Sequence, residues 1–262
     1  VIEFNDVDAL EQALISGDVA CVLTEPLMTN FGMIPVVEGF HAALREITRR
    51  TGTLLIIDET HTISCGPGGY TALHGLQPDM LVAGKAIAGG IPAGAFGVSQ
   101  DVAERLWAVV PRVNPRPRQS AHFGIGGTLA GNALTVAAMR AVLAEVLTPA
   151  NYALMIASAS RLADAARGII SAHRLPWHVT QIGARAEIMF MPRPPKNGAE
   201  VIAARRGELE TLLHTFYMNE GILVTPFHTM LLMCPATGAQ DVDRHTEVFT
   251  RFVALLRAAG VV

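Results

Sequence analysis

The chain has 262 residues, of which 50% are hydrophobic and 16% are charged. This length and composition allow one large domain, or a medium domain with a smaller one, and exclude extensive disorder. The formal net charge is -3, with 20 Lys and Arg against 23 Asp and Glu and no basic block, which argues against electrostatic binding to nucleic acid.

Cysteine usage and apolar runs bear on the cellular location. The widely spaced Cys21, Cys65 and Cys234 suit neither a disulfide framework nor a zinc site, which favours a reducing cytoplasm. No apolar run approaches the roughly 18 residues of a membrane span, and the first residues do not resemble a signal peptide. We therefore expect a cytoplasmic protein without membrane contact. The chain begins at Val1 without a methionine, and we expect a fragment of a longer protein.

In the first half of the chain, helical and strand patterns alternate as in a βαβ unit, which favours a parallel sheet. A segment rich in glycine at 64–75 predicts a loop. The other predicted elements are a helix at 5–16, a strand at 19–23, a helix at 37–50, strands at 54–57, 80–83 and 93–98, and a helix that follows Ser99.

The second half predicts two long helices and then a different alternation. The first helix follows 128–132 and ends near 147, and the second runs from 149 to 173. We place the domain junction between them, with the later part of a large domain at 1–148 and a small α+β domain with an antiparallel sheet at 149–262. The remaining predicted elements are strands at 179–182, 186–191, 222–224 and 230–233, and helices at 200–220 and 241–259.

Two apolar strands end in residues with reactive side chains. Leu54–Ile57 is followed by Asp58 and Glu59, and Met80–Ala83 is followed by Gly84 and Lys85. The carboxyl ends of parallel strands share one sheet edge, where ligands bind in open α/β sheets. An amine among apolar neighbours is a usable Schiff-base nucleophile, although a strand-end lysine can also simply point to water. A carboxylate at the end of an apolar strand needs a cationic partner, such as a heterocycle nitrogen or an arginine.

The motifs around these residues resemble the signature of class III aminotransferases. The motif residues are Ile57–Thr62, Pro78-Asp79, Gly84-Lys85, Gly89–Pro92 and Gly94-Ala95, with further landmarks at Glu25-Pro26, Asn30, Gly32, Gly126–Thr128 and Gly131-Asn132. The similarity covers nearly the whole chain, and the nearest branch is that of the glutamate-1-semialdehyde aminomutases. It implies the fold-type I architecture of enzymes that depend on pyridoxal 5′-phosphate (PLP), with part of a large, mostly parallel sheet domain and a small C-terminal domain.

The resemblance also implies a role for each matching residue. Lys85 would bond covalently to PLP and move protons, and Asp58 would pair with the pyridine nitrogen. Thr60 would lie against one ring face. His61 would contact the phenolic oxygen, although such a histidine is as often structural.

Two further residues match a cofactor role. Gly127 and Thr128 would reach the cofactor phosphate of a neighbouring subunit, although Thr128 also suits an ordinary helix N-cap. The resemblance therefore implies a homodimer with shared active sites.

Two departures from the family pattern concern the substrate and the cofactor. Neither the arginine of ornithine- and GABA-type members nor the glutamate of the aminomutase branch is evident near Phe227–Thr229. Arg112, Arg116 and Arg118 suit a carboxylate clamp but more simply are loop charges. The phosphate cup that the family's N-terminal part supplies is not found within residues 1–262.

Three hypotheses follow. The first is a PLP-dependent aminotransferase that moves an amino group between a small-molecule amino donor and a carbonyl acceptor. The second is an intramolecular aminomutase, or a racemase. The third is a catalytically incomplete fragment that serves as a structural or binding module.

Overall fold

The computed structural model describes residues 1–113, 126–226 and 228–262, with side chains described outside 109–125 and 227. Within these residues the chain forms two separate sheets with helices packed against them. The elements, in chain order, are α1 (Val7–Leu14), β1 (Cys21–Thr24), α2 (Phe40–Thr51), β2 (Leu54–Asp58), α3 (Gly69–Leu73), β3 (Met80–Gly84), β4 (Gly94–Val98), α4 (Gln100–Val113), α5 (Ala133–Ala141), α6 (Pro149–Ala172), β5 (His178–Ile182), β6 (Arg185–Met189), α7 (Gly198–Ala204), α8 (Gly207–Asn219), β7 (Met230–Leu232) and α9 (Ala239–Ala258).

The first sheet has the order β1-β2-β3-β4. β1, β2 and β3 are parallel, in the register that places Asp58 opposite Val82, and β4 runs antiparallel to β3. The apolar run of β2 is explained by its burial, because Leu55 and Ile57 are almost fully covered by α1 and α2. The carboxyl ends of β2 and β3 therefore lie side by side, as the sequence predicts.

Asp79 fastens the start of β3 to its neighbours. Its carboxylate accepts two hydrogen bonds from the Arg45 guanidinium of α2, at 2.7 and 2.9 Å, and one from the backbone N–H of Leu55, at 2.7 Å. Its own backbone joins Leu55 of β2 on one side and Ser99 after β4 on the other. The strand that leads to Lys85 is thus anchored at its opposite end.

The second sheet, of order β5-β6-β7, is antiparallel throughout, as predicted for the C-terminal part. Its main core is built by α6, α8 and α9 around β5 and β6 and includes the fully buried Tyr217, Phe249 and Phe252. Met189 and Val201 pack instead into the apolar cluster of the first sheet. The two halves of the chain therefore share a packed seam.

Several predicted elements differ from the observed ones. The segment at 64–75 is not a loop throughout, because a 3₁₀ helix at Thr62–Cys65 and the helix α3 occupy most of it. The predicted helix at 200–220 is two helices, α7 and α8, which Arg205 and Arg206 separate in non-helical backbone. The predicted strand at 222–224 is irregular, because none of its residues pairs with a strand.

The first long helix of the second half has the predicted extent but is less regular than predicted. It begins at Ala133, and its last turn, Val142–Val146, is a π-helix. In the described part of the chain, no single helix has the length and apolar composition of a membrane span. The helices at 133–146 and 149–172, which are bent by 72° relative to each other, have that length and composition only when they are counted together.

Candidate active site

A pocket of about 160 Å³ lies at the carboxyl edge of β2 and β3. Its lining includes four residues that the sequence predicts for the site, Asp58, Thr60, His61 and Lys85, and two family landmarks, Glu25 and Asn30. The parallel pairing of β2 with β3 explains this convergence, because each strand delivers its following residues to the same edge.

Asp58 is half-buried, and its Oδ1 accepts the backbone N–H of Thr60 at 2.8 Å. This short turn fixes the direction of the carboxylate. Among the described residues, no lysine, arginine or histidine forms an ion pair with Asp58 within 4.0 Å. The cationic partner that the sequence leads us to expect is therefore not one of these protein side chains.

Lys85 follows β3 directly and has a backbone φ of 49°, in the left-handed region. A non-glycine residue in that region costs about 1 kcal/mol, so the surrounding structure must hold it there. The side chain of Lys85 is exposed, so its apolar neighbours in the sequence do not bury the amine. The Thr60 side chain lies beside the preceding Gly84, at 3.4 Å from where a Cβ would stand, so a larger residue at 84 would crowd Thr60.

His61 is buried and belongs to a hydrogen-bonded chain of side chains. Its Nδ1 lies 2.8 Å from Thr29 Oγ1, which in turn lies 2.7 Å from Glu25 Oε2. Its carbonyl oxygen accepts from Arg185 Nη2 at 2.7 Å and from Ser64 Oγ at 2.9 Å. Both the ring and the backbone of His61 are therefore held in place.

Burial and the surrounding charges determine which groups near the pocket are ionised. Desolvation, together with the positive charges of Arg185 and Lys85, lowers the pKa of His61 to about 4, so its imidazole is neutral near pH 7. Desolvation raises the pKa of Glu25 above its usual value, although the hydrogen bonds from Thr29 oppose this rise. The pocket thus contains a neutral imidazole beside acidic and basic groups.

Glu59, next to Asp58, is a buried helix cap. It accepts the Thr62 hydroxyl at 2.5 Å and the backbone N–H of Tyr70 at 3.1 Å, and it also accepts the N–H of Thr71. These donors include the first turn of α3, so the carboxylate compensates the start of that helix. Glu59 has no exposed surface, so its carboxylate serves the local structure and does not face solvent.

Gly127 and Thr128 are exposed and do not line this pocket. The alternative role of Thr128 as an N-cap is wrong, because α5 begins at Ala133 and Asn132 caps it through its side chain. Their contact with a neighbouring subunit's phosphate stays a prediction.

The other candidate substrate residues lie at the edge of what the structure describes. Arg116, Arg118 and Phe227 fall outside the described residues, as does the side chain of Arg112. His228 and Thr229 are buried and line a second pocket together with Glu187 of β6.

Thr29 and Arg185 contact site residues that the sequence predicts, yet neither is predicted itself. Thr29 stands between the landmarks Glu25-Pro26 and Asn30, so its position in that motif was the available signal. Arg185 lies within β6 and is 3% exposed. In the sequence Arg185 falls between the predicted strands at 179–182 and 186–191, so the pattern gives no sign of its role.

Comparison with known proteins identifies the family. A sequence profile described as "Aminotransferase class-III" matches residues 3–254. The chain belongs to the class III aminotransferase family. The resemblance seen in the motifs is thereby confirmed.

Individual members of the class III family agree with this assignment. A glutamate-1-semialdehyde 2,1-aminomutase of Laribacter hongkongensis is 33% identical over 232 residues, which are 86% of this chain and 51% of that protein. The chain thus spans about half the length of the curated relatives it matches.

Solved structures confirm the expected fold. A glutamate-1-semialdehyde-aminomutase variant from Pseudomonas aeruginosa PAO1, in complex with PMP, is 57% identical with a TM-score of 0.92; the match covers 97% of this chain and 56% of that one. A β-phenylalanine aminotransferase from Variovorax paradoxus is 30% identical with a TM-score of 0.81, over 97% of this chain and 57% of that one.

Proposed function

We propose that the protein to which this chain contributes moves an amino group with PLP as its cofactor, and that it acts as an aminomutase. The observation that carries the proposal is the convergence of Asp58 and Lys85 on one pocket at the carboxyl edge of β2 and β3. Membership of the class III family supports the reaction class.

The donor set of the pocket fits PLP. Asp58 offers a carboxylate, with no protein cation paired to it among the described residues, for a protonated pyridine nitrogen. Lys85 offers an exposed amine for an aldehyde carbon. When bound, PLP supplies an electron sink that stabilises negative charge on the carbon next to the substrate nitrogen.

The protein's own groups then bind, orient and move protons. Lys85 binds the cofactor and afterwards serves as the base and acid at the substrate carbon. Asp58, whose direction the Thr60 amide fixes, keeps the ring nitrogen protonated. Thr60 packs between Gly84 and the pocket and limits the position of a flat ring.

The aminomutase activity is the finer part of the proposal. It is supported by the glutamate-1-semialdehyde aminomutases among the relatives, one of which binds PMP, the amine form of the cofactor. The substrate class is an amino aldehyde whose amino group moves to the neighbouring carbon. An aminotransferase, which the likeness to the β-phenylalanine enzyme favours, is the second candidate. Product analysis without an added keto acid separates them, since only the aminomutase turns over under that condition.

We further propose a homodimer with shared active sites. The exposure of Gly127 and Thr128, away from the pocket of their own chain, supports a role at a neighbouring subunit's site. The free thiols of all three cysteines favour a reducing compartment such as the cytoplasm. Size-exclusion chromatography with light scattering on the complete protein tests the dimer, and a monomer that retains activity would contradict the shared site.

The lysine content of the chain allows a sharp test of the cofactor assignment. The sequence contains two lysines, Lys85 and Lys196. In the complete protein, borohydride reduction after PLP loading, followed by peptide mapping, is expected to label Lys85. The Lys85→Ala variant is expected to lose the reducible visible absorbance.

Lys196→Ala is the matched control, because Lys196 is also exposed but lies outside the pocket. It is expected to retain both the absorbance and the label on Lys85. Unchanged yellow colour and reducibility in Lys85→Ala would refute the assignment. A titration of the 262-residue chain alone with PLP tests the hypothesis of an incomplete fragment. That hypothesis is favoured if the chain does not bind PLP in a 1:1 ratio.

A further inference from the structure

The Thr29 hydroxyl lies between a carboxylate and an imidazole in the wall of the pocket. Its Oγ1 is 2.7 Å from Glu25 Oε2 and 2.8 Å from His61 Nδ1, and the backbone N–H of Thr29 also donates to Glu25 Oε2 at 3.1 Å. Thr29 has no exposed surface and His61 is 7% exposed, so water does not compete freely for these bonds.

The chemistry of the three groups sets the direction of each hydrogen bond. An ionised carboxylate only accepts, and a hydroxyl has a single proton to donate. Desolvation raises the pKa of Glu25, and the two donors from Thr29 on Oε2 oppose this rise by stabilising the carboxylate as an acceptor. The Thr29 proton is therefore committed to Glu25, and its oxygen can only accept from His61. Nδ1 must then carry the proton of the neutral imidazole.

The surroundings of His61 keep its ring neutral and in place. Arg185 and Ser64 both donate to the His61 carbonyl oxygen, which fixes the backbone from which the ring extends. The positive charges of Arg185 and Lys85 oppose a second ring proton. The His61 ring is therefore neutral, with its single proton either on Nδ1 or on Nε2.

We propose that Glu25, acting through Thr29, holds His61 as the Nδ1–H tautomer, so that Nε2 is left as a hydrogen-bond acceptor for the pocket. Among the described residues, Nε2 makes no hydrogen bond of its own. Glu25 and Thr29 are then positioning residues, which act on a ligand through the imidazole.

The tautomer decides which ligand group fits beside His61. An acceptor nitrogen selects a hydroxyl or ammonium donor and disfavours an oxyanion at the same place. This reverses the polarity that is expected when the imidazole donates to a phenolic oxygen. The consequence for PLP rests on the proposed function, whereas the tautomer itself is a property of the chain without cofactor.

Long-range ¹⁵N–¹H correlation spectra of the histidine-labelled protein without cofactor test the tautomer directly. The signals of His61 are assigned by their loss in His61→Gln. We expect a pyrrole-like Nδ1 and a pyridine-like Nε2, with roughly a tenfold preference for Nδ1–H from one net hydrogen bond. A pyridine-like Nδ1 in the wild type would overturn the proposal.

Variants of Thr29 separate hydrogen bonding from packing. Thr29→Val keeps the branched shape and removes the hydroxyl, and His61 is expected to change to the Nε2–H tautomer. Thr29→Ser keeps the hydroxyl and is expected to retain the wild-type spectrum. If Thr29→Val leaves the His61 signals unchanged, the hydroxyl does not select the tautomer and the proposal is wrong.

Variants of Glu25 provide an independent arm should Thr29→Val fail to fold. Glu25→Gln keeps an acceptor oxygen and is expected to preserve Nδ1–H. Glu25→Leu frees the Thr29 proton for Nδ1 and is expected to give Nε2–H; an unchanged tautomer there overturns the proposal. These spectra need no cofactor, so the two proposals can fail separately. If the Nδ1–H tautomer is confirmed but PLP does not label Lys85, the proposed function is wrong and the tautomer proposal stands.

Discussion

The buried pair of Tyr217 and His245 predicts a pH dependence of stability that one substitution should remove. The Tyr217 hydroxyl lies 3.0 Å from His245 Nε2, between α8 and α9, and His245 is 4% exposed. Desolvation lowers the pKa of His245 from 6.5 to about 4. The folded chain therefore holds this imidazole neutral, whereas the unfolded chain protonates it below about pH 6.5.

The sign and the size of the effect follow from this difference. Between pH 4 and 6.5 the unfolded state binds more protons at this site, so the free energy of unfolding rises with pH. The stabilisation is complete above pH 6.5 and is lost as the pH falls towards 4. Over that interval the linkage relation gives about 3 kcal/mol for a single histidine.

The substitution His245→Gln keeps a hydrogen-bonding partner for Tyr217 but does not titrate in this range. Guanidinium unfolding of both chains at half-unit steps from pH 4 to 7.5 measures the difference in the free energy of unfolding. That difference is expected to change by about 3 kcal/mol across the interval and to stay constant above pH 7. A difference independent of pH would refute the buried neutral histidine. His61 titrates equally in both chains and cancels.

Two further substitutions probe the frame around the pocket. Asp79→Asn removes the charge that pairs with Arg45. Partial burial raises the pKa of Asp79, but the hydrogen bonds from Arg45 and from the Leu55 amide outweigh this effect and hold the pKa below 3.8. The variant is therefore expected to lose about 1–2 kcal/mol of stability at pH 7, and progressively less as the pH falls below 3.8. Equal thermal stability at pH 7 would contradict this role. Gly183→Ala is expected to cost roughly 2–4 kcal/mol, because at φ +53 its Cβ would stand 2.4 Å from Cys65 Cα. Gly221→Ala, at φ +80 in open space, is its control at about 1 kcal/mol, and equal losses in thermal melts would show that the close backbone approach is unimportant.

The part of the site that depends on local pattern was predictable from the sequence. β2 and β3 are short apolar runs, and the residues that follow parallel strands must share an edge, so the convergence of Asp58 and Lys85 required no distant contact. The sequence left open whether Lys85 is buried or exposed. The exposure of this side chain depends on which segments pack over the end of β3, and the apolar residues next to Lys85 in the sequence do not determine that packing.

Long-range contacts explain the remaining differences. Thr29 and Arg185 act through partners far along the chain, and no periodicity marks such pairs. The helix at 200–220 is interrupted at Arg205, whose guanidinium lies over the Phe31 ring at 5.7 Å and pairs with Glu210. Tertiary contacts of this kind override a helical pattern that is otherwise continuous.

The contacts of Arg185 with the pocket wall also join parts of the chain that are made far apart in time. Arg185 lies 124 residues after His61 and 121 residues after Ser64, the two residues to which it donates. Closing a loop of that length in an unfolded chain costs roughly 4 kcal/mol of chain entropy. During synthesis, His61 leaves the ribosome 124 residues before the side chain that will fasten its carbonyl. The final shape of the pocket wall consequently depends on a residue that is made long after the strands that point to the pocket.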